Sequence, residues 1–186
     1  MEMHDTPIID KGGYVMLGSD DYLLRRMAAN DDQEAINNYV AWTITHSQAI
    51  GVKVVNPGGI NAFKFNQRKL DLDEKNSFYG VTPREILLRL ATAVKELGIP
   101  HPLHVHGCNL GVPGNMNTTL DTIAGANGLP MHLTHIQFHS YGTEGDFKFS
   151  SGGTQVLNIA NSSSDVVVKP VVDTKDLIFQ QRDGTE

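Results

Sequence analysis

Apolar positions along this 186-residue chain alternate between two spacings, one helical and one extended. Between Asn30 and Gly51, the residues Ile36, Tyr39, Val40, Thr43 and Ile44 recur three and four apart, as on one face of a helix. The β-branched run Val52-Lys-Val-Val55 follows as a strand, closed by the turn-forming Asn56-Pro-Gly-Gly59. Thr82-Pro-Arg-Glu85 is a capping box with proline at the first helical position, and Val81 and Ile86 can staple across it. That helix should run to Leu97 and stop at Gly98. A strand over Leu103–His106, a loop to Asn115, a helix over Asn117–Ala126 and a strand over Met131–Ile136 complete the regular part. Past the polar, glycine-rich stretch from Gly142 to Gly153, the pattern predicts a short helix over Thr154–Asn161 and a strand over Val166–Val172, interrupted by Pro170.

Strands alternating with helices imply an α/β fold with a parallel sheet. Near-continuous apolar runs around Val52, Leu103 and Val166 suit strands buried on both faces. Four such units are visible. A complete (β/α)8 barrel takes about 250 residues, so a barrel reading makes residues 1–186 a piece of one barrel domain. An open doubly wound sheet, as in flavodoxin-like domains, also matches the element count. It is disfavoured because neither the dinucleotide fingerprint nor a phosphate loop stands at a strand end.

Composition narrows the class. With 15 basic and 21 acidic residues the net charge is −6, and no basic run is interleaved with aromatics, so nucleic-acid binding has no support. The apolar runs are far shorter than the roughly 20 residues that span a bilayer, and the first residues lack a signal-peptide pattern. A cytoplasmic protein without membrane contact is expected. The single cysteine, Cys108, excludes an internal disulfide and a multi-cysteine zinc motif, and it reads best as a small buried hydrophobe.

The candidate chemistry lies in the histidines. Six of the eight fall between His101 and His139, in His101-Pro-Leu-His-Val-His-Gly107 and Pro130-Met-His-Leu-Thr-His-Ile-Gln-Phe-His139, at strand ends where α/β folds place their sites. His104 and His106 share a strand face. His135 and His139 stand nearer the carboxyl end of the next strand than His132, while His4 and His46 read as structural or exposed. Lys53 sits inside an apolar strand. It is either an edge lysine reaching solvent or an amine that reacts with carbon dioxide to give a carbamate bridging two metals. Asn109 and the turn Gly111–Gly114, followed by Asn115, would shape a substrate loop; Asp173 is a strand-end carboxylate or a plain turn residue.

At these residues the chain resembles a known family. Met3-His-Asp-Thr-Pro-Ile-Ile-Asp-Lys-Gly12, Lys53-Val-Val-Asn-Pro-Gly-Gly59, Thr82-Pro-Arg-Glu85, His104-Val-His-Gly-Cys-Asn-Leu-Gly111 with Pro113-Gly-Asn115, and Leu133-Thr-His-Ile-Gln-Phe-His-Ser-Tyr-Gly142 are similar to the A subunit of formylmethanofuran dehydrogenase. Bacterial relatives of that protein sit in the formyltransferase/hydrolase complex, and both belong to the amidohydrolase superfamily of metal-dependent (β/α)8 barrels. The resemblance implies two zinc ions sharing a carboxylated lysine after the fourth barrel strand, with one histidine each from strands five and six. Carried over, Lys53 is the carboxylated lysine, His106 the fifth-strand ligand and His135 the sixth, with His104 and His139 as alternates. It further implies interconversion of formate plus methanofuran, the substrate carrier, with N-formylmethanofuran. The partners would be the other subunits of the complex, including a molybdenum or tungsten formate dehydrogenase subunit.

Two family features have no counterpart. A His-x-His pair on the first strand and an aspartate on the eighth are both absent, so the chain resembles an internal fragment covering about strands four to seven. The competing expectation is therefore a truncated, non-catalytic barrel fragment or assembly module with an incomplete metal site.

Overall fold

The computed structural model describes residues 10–58, 70–112, 114–138, 147–151, 154–162 and 165–172. In chain order the elements are β1 (Tyr14–Met16), α1 (Asp21–Ala28), α2 (Gln33–Ser47), β2 (Gly51–Val55), α3 (Pro83–Glu96), β3 (Leu103–His106), α4 (Met116–Gly125) and β4 (Met131–Leu133). A 3-10 turn (Ile136–Phe138) and three further strands follow: β5 (Phe147–Ser151), β6 (Thr154–Ser162) and β7 (Asp165–Pro170). The described residues fall into two compact units, one within Met1–Leu110 and Asn117–Ile136, the other within Gly111–Met116 and Gln137–Glu186.

Local chemistry sets the helix ends in the first unit. Asp20 and Asp32 cap α1 and α2, each carboxylate accepting the backbone N–H three residues on at 2.8 Å. Thr82 caps α3 by accepting from the Glu85 N–H at 3.2 Å, with Pro83 opening the helix and Gly98 beyond its end at φ +63°. Val81 and Ile86, the two staple residues, are both buried.

The four strands of this unit form a parallel sheet in the order β1-β2-β3-β4, without reversal. Right-handed crossovers between strands laid down in sequential order put every connecting helix on one face. The sheet is thus singly wound, with no switch point of the kind a doubly wound domain needs. Val52, Val54, Leu103 and Val105 point to the helical face, where they join Ile36, Val40, Leu87 and Leu90 in one core, all fully buried. The alternate residues Lys53, Val55, His104 and His106 point to the other face and are only half-buried.

This corrects four expectations. The strands around Val52 and Leu103 are packed by described helices on one face, not two. The fourth parallel strand is β1, ahead of Lys53, so the parallel run begins one strand earlier than expected. The Val166 segment does not join it: β7 lies antiparallel in a separate three-stranded sheet, in the order β5-β6-β7. Residues 154–161, expected as a helix, are strand β6. Val156, Leu157, Ile159 and Ala160 satisfy helical spacing, but β6 is paired on both sides, Asn158 standing opposite Lys148 and Lys169.

The tightest approach in the parallel sheet is at Gly18, just past β1. A Cβ placed there would lie 2.7 Å from Val54 Cβ and 3.0 Å from Val54 Cα, on the strand carrying Lys53. Gly18→Ala is therefore expected to destabilise the protein by about 1–3 kcal/mol through overpacking. A lowered urea midpoint at unchanged slope would register it.

Candidate functional site

The open face of the parallel sheet gathers the sequence-singled residues into rungs. Register places Met16, Lys53, His104 and His132 side by side across β1 to β4, and pairs Val55 with His106 one rung nearer the carboxyl ends. The His104 and His132 rings stack with centroids 4.9 Å apart and planes 13° apart, and Tyr14 leans on His104 at 4.9 Å. Burial first, then the charges of Lys53, His132 and His135, hold the His104 imidazole below its ordinary pKa. The neutral ring is the form that can ligate a metal.

His135 is not on β4, which ends two residues earlier. It follows Thr134, whose N–H and hydroxyl both donate to the Val105 carbonyl, at 3.0 and 3.2 Å. There the chain turns, with His135 at φ +58°, and its ring meets His106 edge to face at a centroid distance of 4.9 Å. The structure thus brings His106 and His135 into direct contact at the carboxyl ends of their strands, one rung beyond Lys53 and His104. His139 lies outside the described residues, as does Asp173.

The carboxyl edge is marked by unusual backbone. Asn56 after β2 (φ +40°), Asn109 after β3 (φ +55°) and His135 after β4 all take left-handed conformations that non-glycine residues avoid. Such outliers gather where a surrounding structure over-determines a site. The Asn56 N–H donates to the His106 carbonyl at 2.9 Å, joining the tips of β2 and β3. Its Oδ1 is buried and, among the described residues, has no hydrogen-bond partner.

The two loop asparagines act within the chain. Asn109 donates to Asp71 Oδ1 at 2.7 Å and accepts from the Leu70 N–H at 3.1 Å, joining the segment before α3 to the β3–α4 connection. Asn115 is buried and donates to the Phe138 carbonyl. Cys108 is buried, and burial, then Asp71 and Glu74, push its thiol up to about 12, which leaves it no nucleophilic thiolate near neutrality. His46 is exposed on α2, its Nδ1 at 2.7 Å from the Trp42 carbonyl.

Imidazoles with a lysine-derived carboxylate form a donor set suited to zinc. Among the described residues, however, no three His, Cys, Asp or Glu side chains come together as a ligand group. The fit is that of a half-set, two imidazoles and one amine. No described helix is long and apolar enough to cross a membrane. Sequence reasoning passed over strand β1 and treated Asn56 only as a turn former; the Asn-Pro-Gly-Gly run at the strand's carboxyl end was the available signal.

No protein-family model matches the chain. It is 36% identical over 182 residues to the A subunit of the formyltransferase/hydrolase complex Fhc of Methylorubrum extorquens, a match covering 97% of this chain and 33% of that protein. It is 34% identical over 178 residues to the protein FwdA of Methanocaldococcus jannaschii, covering 90% of this chain and 31% of that one. Among solved structures, the FhcABCD complex of M. extorquens with methylofuran aligns at a TM-score of 0.71 and 43% identity, over 73% of this chain and 25% of the matched chain. The chain spans about a third of the length of the curated relatives it matches.

Proposed function

We propose that this chain, a homologue of the Fhc A subunit and of FwdA, carries the metal-binding edge of a protein that interconverts formate plus methanofuran with N-formylmethanofuran in the cytoplasm. The reading is supported by Lys53 on the open face of β2 beside His104 and by the contact of His106 with His135 at the carboxyl ends of the neighbouring strands. A singly wound sheet closes into a barrel when further strands are added. The reading makes the parallel sheet β1 to β4 part of one amidohydrolase-like (β/α)8 barrel domain.

In this reading Lys53, carboxylated on its amine, would hold two zinc ions together with His106 and His135. When bound, the metal pair supplies a water of lowered pKa and a Lewis acid for the formyl oxygen. The chain's own residues do the positioning. The Thr134 bonds to Val105 fix the turn that aims His135, and the Asn56 bond to His106 holds two strand tips together. Asn109 shapes the loop after β3 through its bonds to Asp71 and Leu70, and Asn115 is the second candidate for a substrate loop. Partners are the other subunits of the complex, including a molybdenum or tungsten formate dehydrogenase subunit that exchanges formate with this site.

The test is the complete complex, purified with this protein in place. It should contain about two zinc ions per copy of the protein and release formate from N-formylmethanofuran, with the activity lost on chelation and regained with zinc. Undiminished hydrolysis by a metal-free complex would sink the reading. A second reading, a non-catalytic fragment, is favoured by the incomplete ligand group among the described residues. Formamide hydrolysis by the 186-residue chain alone would contradict it.

A further inference from the structure

We propose that Tyr14, His104 and His132 form a ring layer that positions Lys53 for metal, with His104 a positioning residue and not a ligand. The inference rests on the metal reading of the site described above.

Tyr14 on β1 pairs in register with Gly51 on β2, one strand short of β3. Its ring nonetheless reaches the β3 side, with centroid distances of 4.9 Å to His104 and 6.2 Å to His101. Gly51 makes that crossing possible: a Cβ there would stand 2.9 Å from Tyr14 Cε1. On its other side His104 stacks on His132 of β4, again at 4.9 Å. One glycine thus lets rings from β1, β3 and β4 join across the strand that carries Lys53.

Ring planes distinguish this layer from the histidine pair nearer the carboxyl ends. A metal ligated by an imidazole lies close to the plane of that ring. The His104 and His132 planes are 13° apart, so they meet only far from both rings, and the two cannot close on one ion. The His106 and His135 planes are 73° apart and meet near rings already in contact, so these two can serve a common site.

The layer acts on its neighbour. His104 is the register partner of Lys53 on β3, and both side chains are half-buried on the same face. Ordering a lysine stem carries one of the largest side-chain entropy losses. A ring held from two sides restricts that stem before any metal arrives, and binding is tighter because less ordering remains to be done.

The complete complex tests this, with zinc affinity measured by competition against a chelator. His104→Ala should weaken zinc binding about 10- to 100-fold, while the saturated complex still holds about two ions per copy of the protein. His104→Phe supplies a ring that cannot ligate and should recover most of the lost affinity. Gly51→Ala displaces Tyr14 without altering any ring and should weaken binding in the same direction. With labelled bicarbonate at subsaturating zinc, the Lys53 carbamate signal should fall in His104→Ala and return in His104→Phe, a change that loss of packing alone would not produce. Loss of one zinc at saturation in His104→Phe would make His104 a ligand and overturn the inference, as would wild-type affinity in His104→Ala or Gly51→Ala. A wild-type complex that binds no zinc, or a Lys53→Ala complex that binds it as tightly as wild type, would instead overturn the metal reading, and this inference with it.

Discussion

Lys53→Ala in the complete complex is expected to lower the zinc content from about two per copy of the protein to one or none and to cut formamide hydrolysis by more than about 1,000-fold. Lys53 lies on β2, between β1 and β3, and faces away from the helices in register with Met16 and His104. An amine there is half-withdrawn from water and stands beside the His104 imidazole. Carbon dioxide adds to its neutral form, the C–N bond forming as one proton leaves, and the resulting anion is what two cations would share. Lys53→Arg keeps a positive charge but cannot form that anion, so it should fail equally. Acetate or formate added to Lys53→Ala should restore part of the metal content, with a small carboxylate occupying the vacated bridge. If Lys53→Ala leaves both zinc and turnover intact, the lysine merely reaches solvent.

Leu87→Ala is expected to cost about 2–5 kcal/mol of folding stability, a large share of the total that a domain holds. Leu87 is fully buried on α3, in the same core as Val54 and Val105, the residues that back Lys53 and the two histidines of β3. One neighbour is Gly125 of α4; a Cβ there would be 3.6 Å from Leu87 Cδ2. A glycine has no side chain to relax into the space that alanine leaves, so much of the cavity should persist and the cost should fall in the upper part of that range. Denaturant unfolding measures it, and metal analysis of the surviving folded fraction should find the ligands unaltered. A change below about 0.5 kcal/mol would mean that this contact lies outside the core.

The elements legible in the sequence were those with strong local chemistry. Thr82-Pro83 and Gly98 mark α3, and the β-branched run marks β2, because a cap, a fixed φ and a left-handed stop act within a few residues. Strand β1 is three residues long and leans on pairing with β2, a non-local interaction that no short window displays. Strand β6 was misread because Leu157 and Ile159 alternate while Val156 and Ala160 fill in a helical pattern; only the partners on either side decide between the two. At the site, residue types and strand faces could be read. The left-handed turn that aims His135 could not, since it depends on how neighbouring strand tips are bonded.

The sequential sheet has a thermodynamic corollary. Among the described residues β1 and β4 each pair with one neighbour only, and the sheet's inner face carries no described helix. Edge strands in that condition favour segments that pair with them, so folding and association become linked equilibria. The unfolding midpoint of this chain should then rise with the concentration of those complementary segments, as for an obligate oligomer. Its stability is then a joint property of the sheet and of whatever pairs with those two edges.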